Sequence, residues 1–145
     1  MYKTLTIKNG STTVLTATTN PQAEYNAIVI TEEEGWDQFS NFTVETEPKL
    51  IGPGSYIVAE RVGEREIGFT FNLLNNVRNT YNNLESLALS FTSLTFQVQY
   101  FNDGSSSVVD TKTLTGKLTS IDIPDGFKDW GNIQITAICP NPIKA

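Results

Sequence analysis

The chain has 145 residues, a formal net charge of −6 and no histidine. That length suits one domain with a real core, and the missing histidine removes the usual general base, the usual zinc ligand and the Ser-His-Asp and Cys-His pairings together. An acidic chain without a basic stretch lacks the field that captures phosphates, which argues against a tight nucleic-acid ligand, and the single Cys139 cannot close an internal disulfide.

Tyr2–Lys8 alternates Leu5 and Ile7 with Thr4, Thr6 and Lys8, and Asn9-Gly10 leads into a second Thr/Val/Leu run over Ser11–Thr18. Asn-Gly suits the two positive-φ centres of a type I′ turn, so the chain is expected to open with a β-hairpin. This start carries neither the apolar core of a signal peptide nor a membrane-spanning run, which predicts synthesis inside the cell and no membrane partner. After Asn20-Pro21, Tyr25–Thr31 is apolar on both faces and predicts a strand buried between two layers, turned by Glu32-Glu33-Glu34-Gly35. Phe42, Val44 and Thr46 share one side of a looser strand, Ile51-Gly52-Pro53-Gly54 is turn chemistry, and Tyr56–Ala59 is a short apolar strand.

A charged segment follows, Glu60-Arg61-Val62-Gly63-Glu64-Arg65-Glu66, which reads as a turn between two strands. From Arg65 the alternation is clean: Ile67, Phe69, Phe71 and Leu73 point one way, with Glu66, Gly68, Thr70 and Asn72 opposite, as in a half-buried strand. Val77, Tyr81, Leu84, Ala88 and Phe91 then recur at spacings of four and three, which predicts one amphipathic helix capped by Asn75 or Asn76. Period two returns at Leu94, Phe96, Val98 and Tyr100. Asn102-Asp103-Gly104 predicts a second hairpin, its return strand slips in alternation between Gly116 and Ile121, and Ile133, Ile135, Ala137 and Cys139 form a closing strand. The pattern is mainly β with one α-helix, arranged as a single domain over 1–145.

No constellation reads as catalytic. Paired carboxylates in a glycosidase need a fixed separation, whereas the acids around Arg61 and Arg65 fall on a turn whose neighbours face opposite ways, so local or intersubunit ion pairs are the expected role. Glu32, Glu33 and Glu34, and separately Asp122, Asp125 and Asp129, lack the ordered spacing of a calcium loop. Trp36, Phe39, Phe127 and Trp130 lie beside turns and suit either a sugar-stacking platform or the end plugs of a β core. No glycine-rich loop opens a helix, so no nucleotide, metal or other cofactor is expected.

The order of these features resembles the N-terminal domain of the distal tail proteins of long-tailed, non-contractile bacteriophages. The features are the hairpin, the Gly52-Pro53-Gly54 turn, Arg65-Glu66-Ile67 opening an alternating strand, one helix, a second hairpin and the exit Ala137-Ile138-Cys139-Pro140-Asn141-Pro142. The resemblance implies a β-sandwich or barrel-like fold of the tail-tube type, six copies in a ring joining tail tube to tip or baseplate, DNA passing through the lumen without lasting contact, and no enzyme activity. It implies a virion protein made in the bacterial cytoplasm, with tail tube and tip proteins as partners. Many relatives continue into a galectin-like second domain, which is not expected in these 145 residues. Arg61, Glu64, Arg65 and Glu66 are the candidate subunit-interface residues, and Glu32, Glu33 and Glu34 the candidate acidic lumen. A tail tube subunit and a monomeric carbohydrate-binding module, with Trp36 or Trp130 as platform, are the competing expectations.

Overall fold

The computed structural model describes residues 1–20, 23, 27–124 and 128–145. Among the described residues nine strands and one helix follow in the order β1 (Tyr2–Asn9), β2 (Thr12–Thr18), β3 (Val29–Glu34), β4 (Phe42–Pro48), β5 (Ser55–Val62), β6 (Arg65–Leu73), α1 (Val77–Leu89), β7 (Leu94–Phe101), β8 (Val108–Asp122) and β9 (Gly131–Cys139). Seven of the strands close into a barrel in the order β1-β2-β3-β6-β9-β8-β7, while β4 and β5 form a separate two-stranded sheet. Every pair in the barrel is antiparallel except β2–β3, which meets in parallel at Thr18 and Val29. The 15-residue β8 serves two neighbours in turn, β7 along Val108–Gly116 and β9 along Lys117–Asp122.

Alternation decides what enters the barrel. Strand β6 buries Ile67, Phe69, Phe71 and Leu73 against Leu5 and Ile7 of β1, Phe96 and Val98 of β7, and Ile133 and Ile135 of β9. The expected slip in β8 is a bulge between Leu118 and Ser120. At Gly116 a Cβ would lie 2.5 Å from the Ile138 carbonyl oxygen and 2.7 Å from the Cys139 Sγ, so a glycine lets β8 pass close to β9 there.

Several expectations shift. The first turn lies one residue later than the Asn-Gly pair suggests. Asn9 pairs with Thr12, and only Gly10 of the two loop residues has positive φ, at 62°, which is the type II′ pattern and not I′. The loop between β7 and β8 spans six residues, from Asn102 to Ser107. Of the strand expected over Tyr25–Thr31, Tyr25 and Asn26 lie outside the described residues, and β3 buries only Ile30 while its other face meets solvent. Glu32–Glu34 do not turn the chain but complete β3, because β6 offers Gly68–Asn72 as hydrogen-bonding partner and the acids that alternate outward stay solvated. The turn comes at Gly35 (φ 75°), where a Cβ would collide with the Glu66 carbonyl oxygen at 1.9 Å.

Helix α1 packs on β8 and β9, with Val77 and Leu84 buried. Asn76 occupies the N-cap position, yet its side chain makes no capping bond. The carboxylate of Asp129 does the work instead, accepting from the Asn76 and Arg78 N–H groups at 3.3 Å each. The helix ends at Leu89, two residues short of Phe91. Thr92 N–H donates to the Leu87 carbonyl and Phe91 N–H to that of Ala88, a Schellman closure that leaves Phe91 at φ 53°.

Candidate assembly surfaces

The β4–β5 hairpin is an arm. Its strands pair with each other from Phe42–Val62 at the base to Pro48–Ser55 near the tip, and in neither strand is any residue buried. The seven residues of β4 give a reach of about 23 Å at ~3.3 Å per residue. The register sorts its side chains. Phe42, Val62, Val44 and Ile57 share one face with Glu60 and Thr46, so that it is mainly apolar, whereas Thr43, Glu45, Ala59, Glu47, Arg61 and Tyr56 share the other. An amphipathic hairpin usually hides its apolar face, but Phe42, Val44, Ile57 and Val62 are all exposed, and the tip residues Leu50 and Ile51 are wholly or almost wholly so.

The charged segment is therefore no hairpin turn. Strand β5 belongs to the arm and β6 to the barrel, and Gly63-Glu64 is the junction between them. Asn41 staples it: its carbonyl accepts from Gly63 N–H at 2.9 Å, and its side-chain amide donates to the Glu64 carbonyl at 2.9 Å. Arg61 lies on the charged face of the arm and pairs with Glu45 across the strands. Glu64 and Glu66 are exposed beside the junction.

Arg65 sits elsewhere than its sequence context suggests. Only 8% exposed, it donates through Nε to the Pro142 carbonyl (3.0 Å) and through Nη1 to those of Gly35 (2.8 Å), Trp36 (3.0 Å) and Gln38 (3.3 Å), and it lies over the Phe39 ring at 4.4 Å. A guanidinium fork can gather four carbonyls in this way because it offers five donors in a fixed plane. It fastens the C-terminal segment and the β3–β4 loop to the start of β6. Its charge thus faces the interior of its own chain, and whatever Arg65 adds to an interface acts by holding the base of the arm.

Beside this clamp, the Trp36 indole N–H donates to Tyr100 Oη (2.9 Å), whose own hydroxyl donates to Asp37 Oδ1 (3.0 Å). Lys3 bonds Asp37 at 2.8 Å and also Glu33, and Lys144 reaches Asp37 at 3.3 Å and the Trp36 carbonyl at 2.9 Å. Burial alone would raise the Asp37 carboxyl, but hydrogen bonds from Lys3, Tyr100 and Lys144 bring it below the usual carboxylate range. Burial likewise opposes the charge on Lys3, and bonds to Asp37 and Glu33 overcome it and raise the ammonium.

The second surface is the outer face of β3-β6-β9-β8. Glu34 stands opposite Gly68, Glu32 opposite Thr70, Glu66 opposite Ile138 and Asp122 opposite Gln134. Four carboxylates thus stand among Thr, Gln and Asn with Lys117 as the basic residue among those described on this face. An open trough of about 580 Å³ runs along its edge between Glu34, Glu64 and Glu66. Of the three acids proposed from sequence, Glu32 and Glu34 lie on this face. Glu33 points to the other side with Phe69 and is taken by Lys3, and Glu66 joins the face in its place.

Trp36 is fully buried and packs on Phe69, so it is a core residue and not a stacking platform. Trp130 is exposed, with the Lys128 ammonium 4.4 Å from its ring centre, and Phe127 lies outside the described residues. Burial pushes the Cys139 thiol up to about 11, with Arg65 pulling the other way, which leaves it unreactive at neutral pH. Among the described residues no group of acids, cysteines or histidines is arranged to hold a metal ion, and no helix is long and apolar enough to cross a membrane.

No family profile matches the chain and no curated protein matches its sequence. The fold has a counterpart among solved structures. The chain superposes on the crystal structure of the Dit protein (gp 19.1) of phage SPP1, described as a paradigm of the hub adsorption apparatus in phages that infect Gram-positive bacteria, with a TM-score of 0.54 over 97% of its length at 14% identity. It spans about half, 51%, of that protein.

Proposed function

We propose that this protein is a structural subunit of a phage tail that assembles with copies of itself into a ring between the tail tube and the tail tip. The carrying observation is the arm: a hairpin with an apolar face that its own barrel leaves bare. A head-to-tail contact repeated around an axis would bury that face and close on itself. The likeness to a hub protein supports the setting, and a ring of six follows the family that the sequence resembles. The outer face carrying Glu32, Glu34, Glu66 and Asp122 is the one suited to the lumen, since carboxylates repel the phosphates of passing DNA and hold none of it back. Arg61 and Glu64, at the root of the arm, belong to the subunit contact, and Arg65 sets the angle at which the arm leaves.

Native mass measurement together with electron microscopy tests this reading. A closed ring of one or two layers is the expected result, with the acidic sheet lining the bore. Long stacked tubes would assign the protein to the tail tube instead, and a basic bore would contradict the lumen assignment.

A further inference from the structure

The apolar arm raises the question of what receives it. A groove of about 500 Å³ runs between the C-terminal half of α1 and β8, floored by Ala88, Leu118 and Ile121 and rimmed by Leu89 and Phe91. Two features set it apart. Leu89 and Phe91 are 73% and 76% exposed, a second bare apolar patch on this chain. Phe91 also holds positive φ at the position that closes the helix, where glycine is the unstrained choice and a bulky L-residue is an outlier. The side chain that incurs this strain reaches away from its own core, so within the subunit only the backbone closure onto Leu87 and Ala88 offsets it, and a glycine would make that closure equally well.

Charge matches as well as apolarity. The groove carries an acid on one side, Glu85, and a base on the other, Lys117. The arm offers Glu47 and Lys49 two residues apart, just before Leu50 and Ile51. A reach of about 23 Å exceeds the radius of gyration of about 15 Å expected for a domain of this length, so the tip can travel well across a neighbour.

We infer that the tip of the β4–β5 arm of one copy, led by Leu50 and Ile51, docks in the α1–β8 groove of the next, between Leu89 and Phe91. This deepens the ring reading and rests on it, because arm and groove lie on different parts of one chain and their union is head-to-tail. The arrangement is testable by complementation in the full-length protein. Ile51→Asp spoils the arm and leaves the groove intact, whereas Leu89→Glu does the reverse, and both sites are exposed enough for the fold to tolerate them. Each variant alone is expected to lose the oligomer in light scattering. An equimolar mixture is expected to give a dimer with one copy of each, since one sound arm and one sound groove remain.

Phe91→Gly separates docking from folding. Placed in the Ile51→Asp background it should raise the melting temperature of the single chain, and alone it should weaken assembly at least tenfold. If the unaltered protein assembles and Leu89→Glu or Phe91→Gly assembles equally well, the groove is not the receiver and the inference falls while the ring stands. A mixture that stays as single chains overturns it too. Failure of the unaltered protein to associate at all would remove the ring and this docking together.

Discussion

Strands β5 and β6 follow each other across two residues and differ in almost everything but pattern. Both alternate or cluster apolar residues, Tyr56, Ile57, Val58 and Val62 in one and Ile67, Phe69, Phe71 and Leu73 in the other. The second set is buried and the first is bare. Periodicity therefore fixes that a strand forms, whereas only its long-range partners fix whether its apolar side finds cover within the chain. The barrel covers its apolar side within the chain, and the arm does not.

Core truncation should break this contrast open most widely. Phe71→Ala is expected to lower the unfolding free energy by about 3–5 kcal/mol, read from denaturant titration of the single chain, while Val44→Ala on the arm should leave it within about 0.5 kcal/mol and weaken assembly instead. Equal destabilisation by both would mean that the arm is part of the folding unit. At the junction, Arg65→Lys should lower stability by about 2 kcal/mol, because an ammonium cannot reach four carbonyls at once and leaves some of them buried without a donor. The accompanying sign is faster proteolysis at the root of the arm. Cleavage at an unaltered rate would deny Arg65 its role in holding the arm.

Smaller effects sharpen the barrel side. Asp129→Ala removes the acceptor for two N–H groups at the start of α1 and should lower stability by about 1 kcal/mol, whereas Asn76→Ala, with no capping bond to lose, should stay well below that. Asp37 gives the smallest effect and the clearest sign. Its carboxyl titrates lower in the fold than in the unfolded chain, so its contribution is fully present above the ordinary carboxylate value of 3.8 and disappears as pH falls through the lower folded value. Asp37→Asn should lose under about 1 kcal/mol at neutral pH, given its partial exposure, and show a shallower decline in acid. An unchanged acid limb would remove Asp37 from that account. The raised Lys3 acts in the opposite window, with stabilisation present below its ordinary value and lost as pH climbs through the higher folded one.

Much of the barrel could be read locally. The alternation of β6, the opening hairpin, the bulge in β8, the stretch of helix and the closing strand with buried Cys139 are all periodicity or turn chemistry, and each is present in the fold. The features that escaped depend on distant partners. Glu32–Glu34 look like a turn because local charge says so, yet β6 supplies a hydrogen-bonding edge that keeps them extended. Trp36 beside a turn suits a platform or a core plug by its sequence alone, and Tyr100 and Phe69 settle it as the plug. Arg65 reads as a surface charge because its acceptors are backbone carbonyls, which carry no signature in sequence, and the cap of α1 comes from Asp129, 53 residues away from Asn76. The arm was half legible: its strands and its Gly52-Pro53-Gly54 turn show in the residues, but their separation from the barrel does not.

The central claim is that the arm exists to join copies of this chain. Native mass measurement of the intact protein beside a version with residues 43–61 replaced by a short flexible linker tests it most directly. The account predicts one closed oligomer of fixed copy number for the first and a folded single chain for the second. The same oligomer from both proteins, or a single chain from both at every concentration, would contradict it.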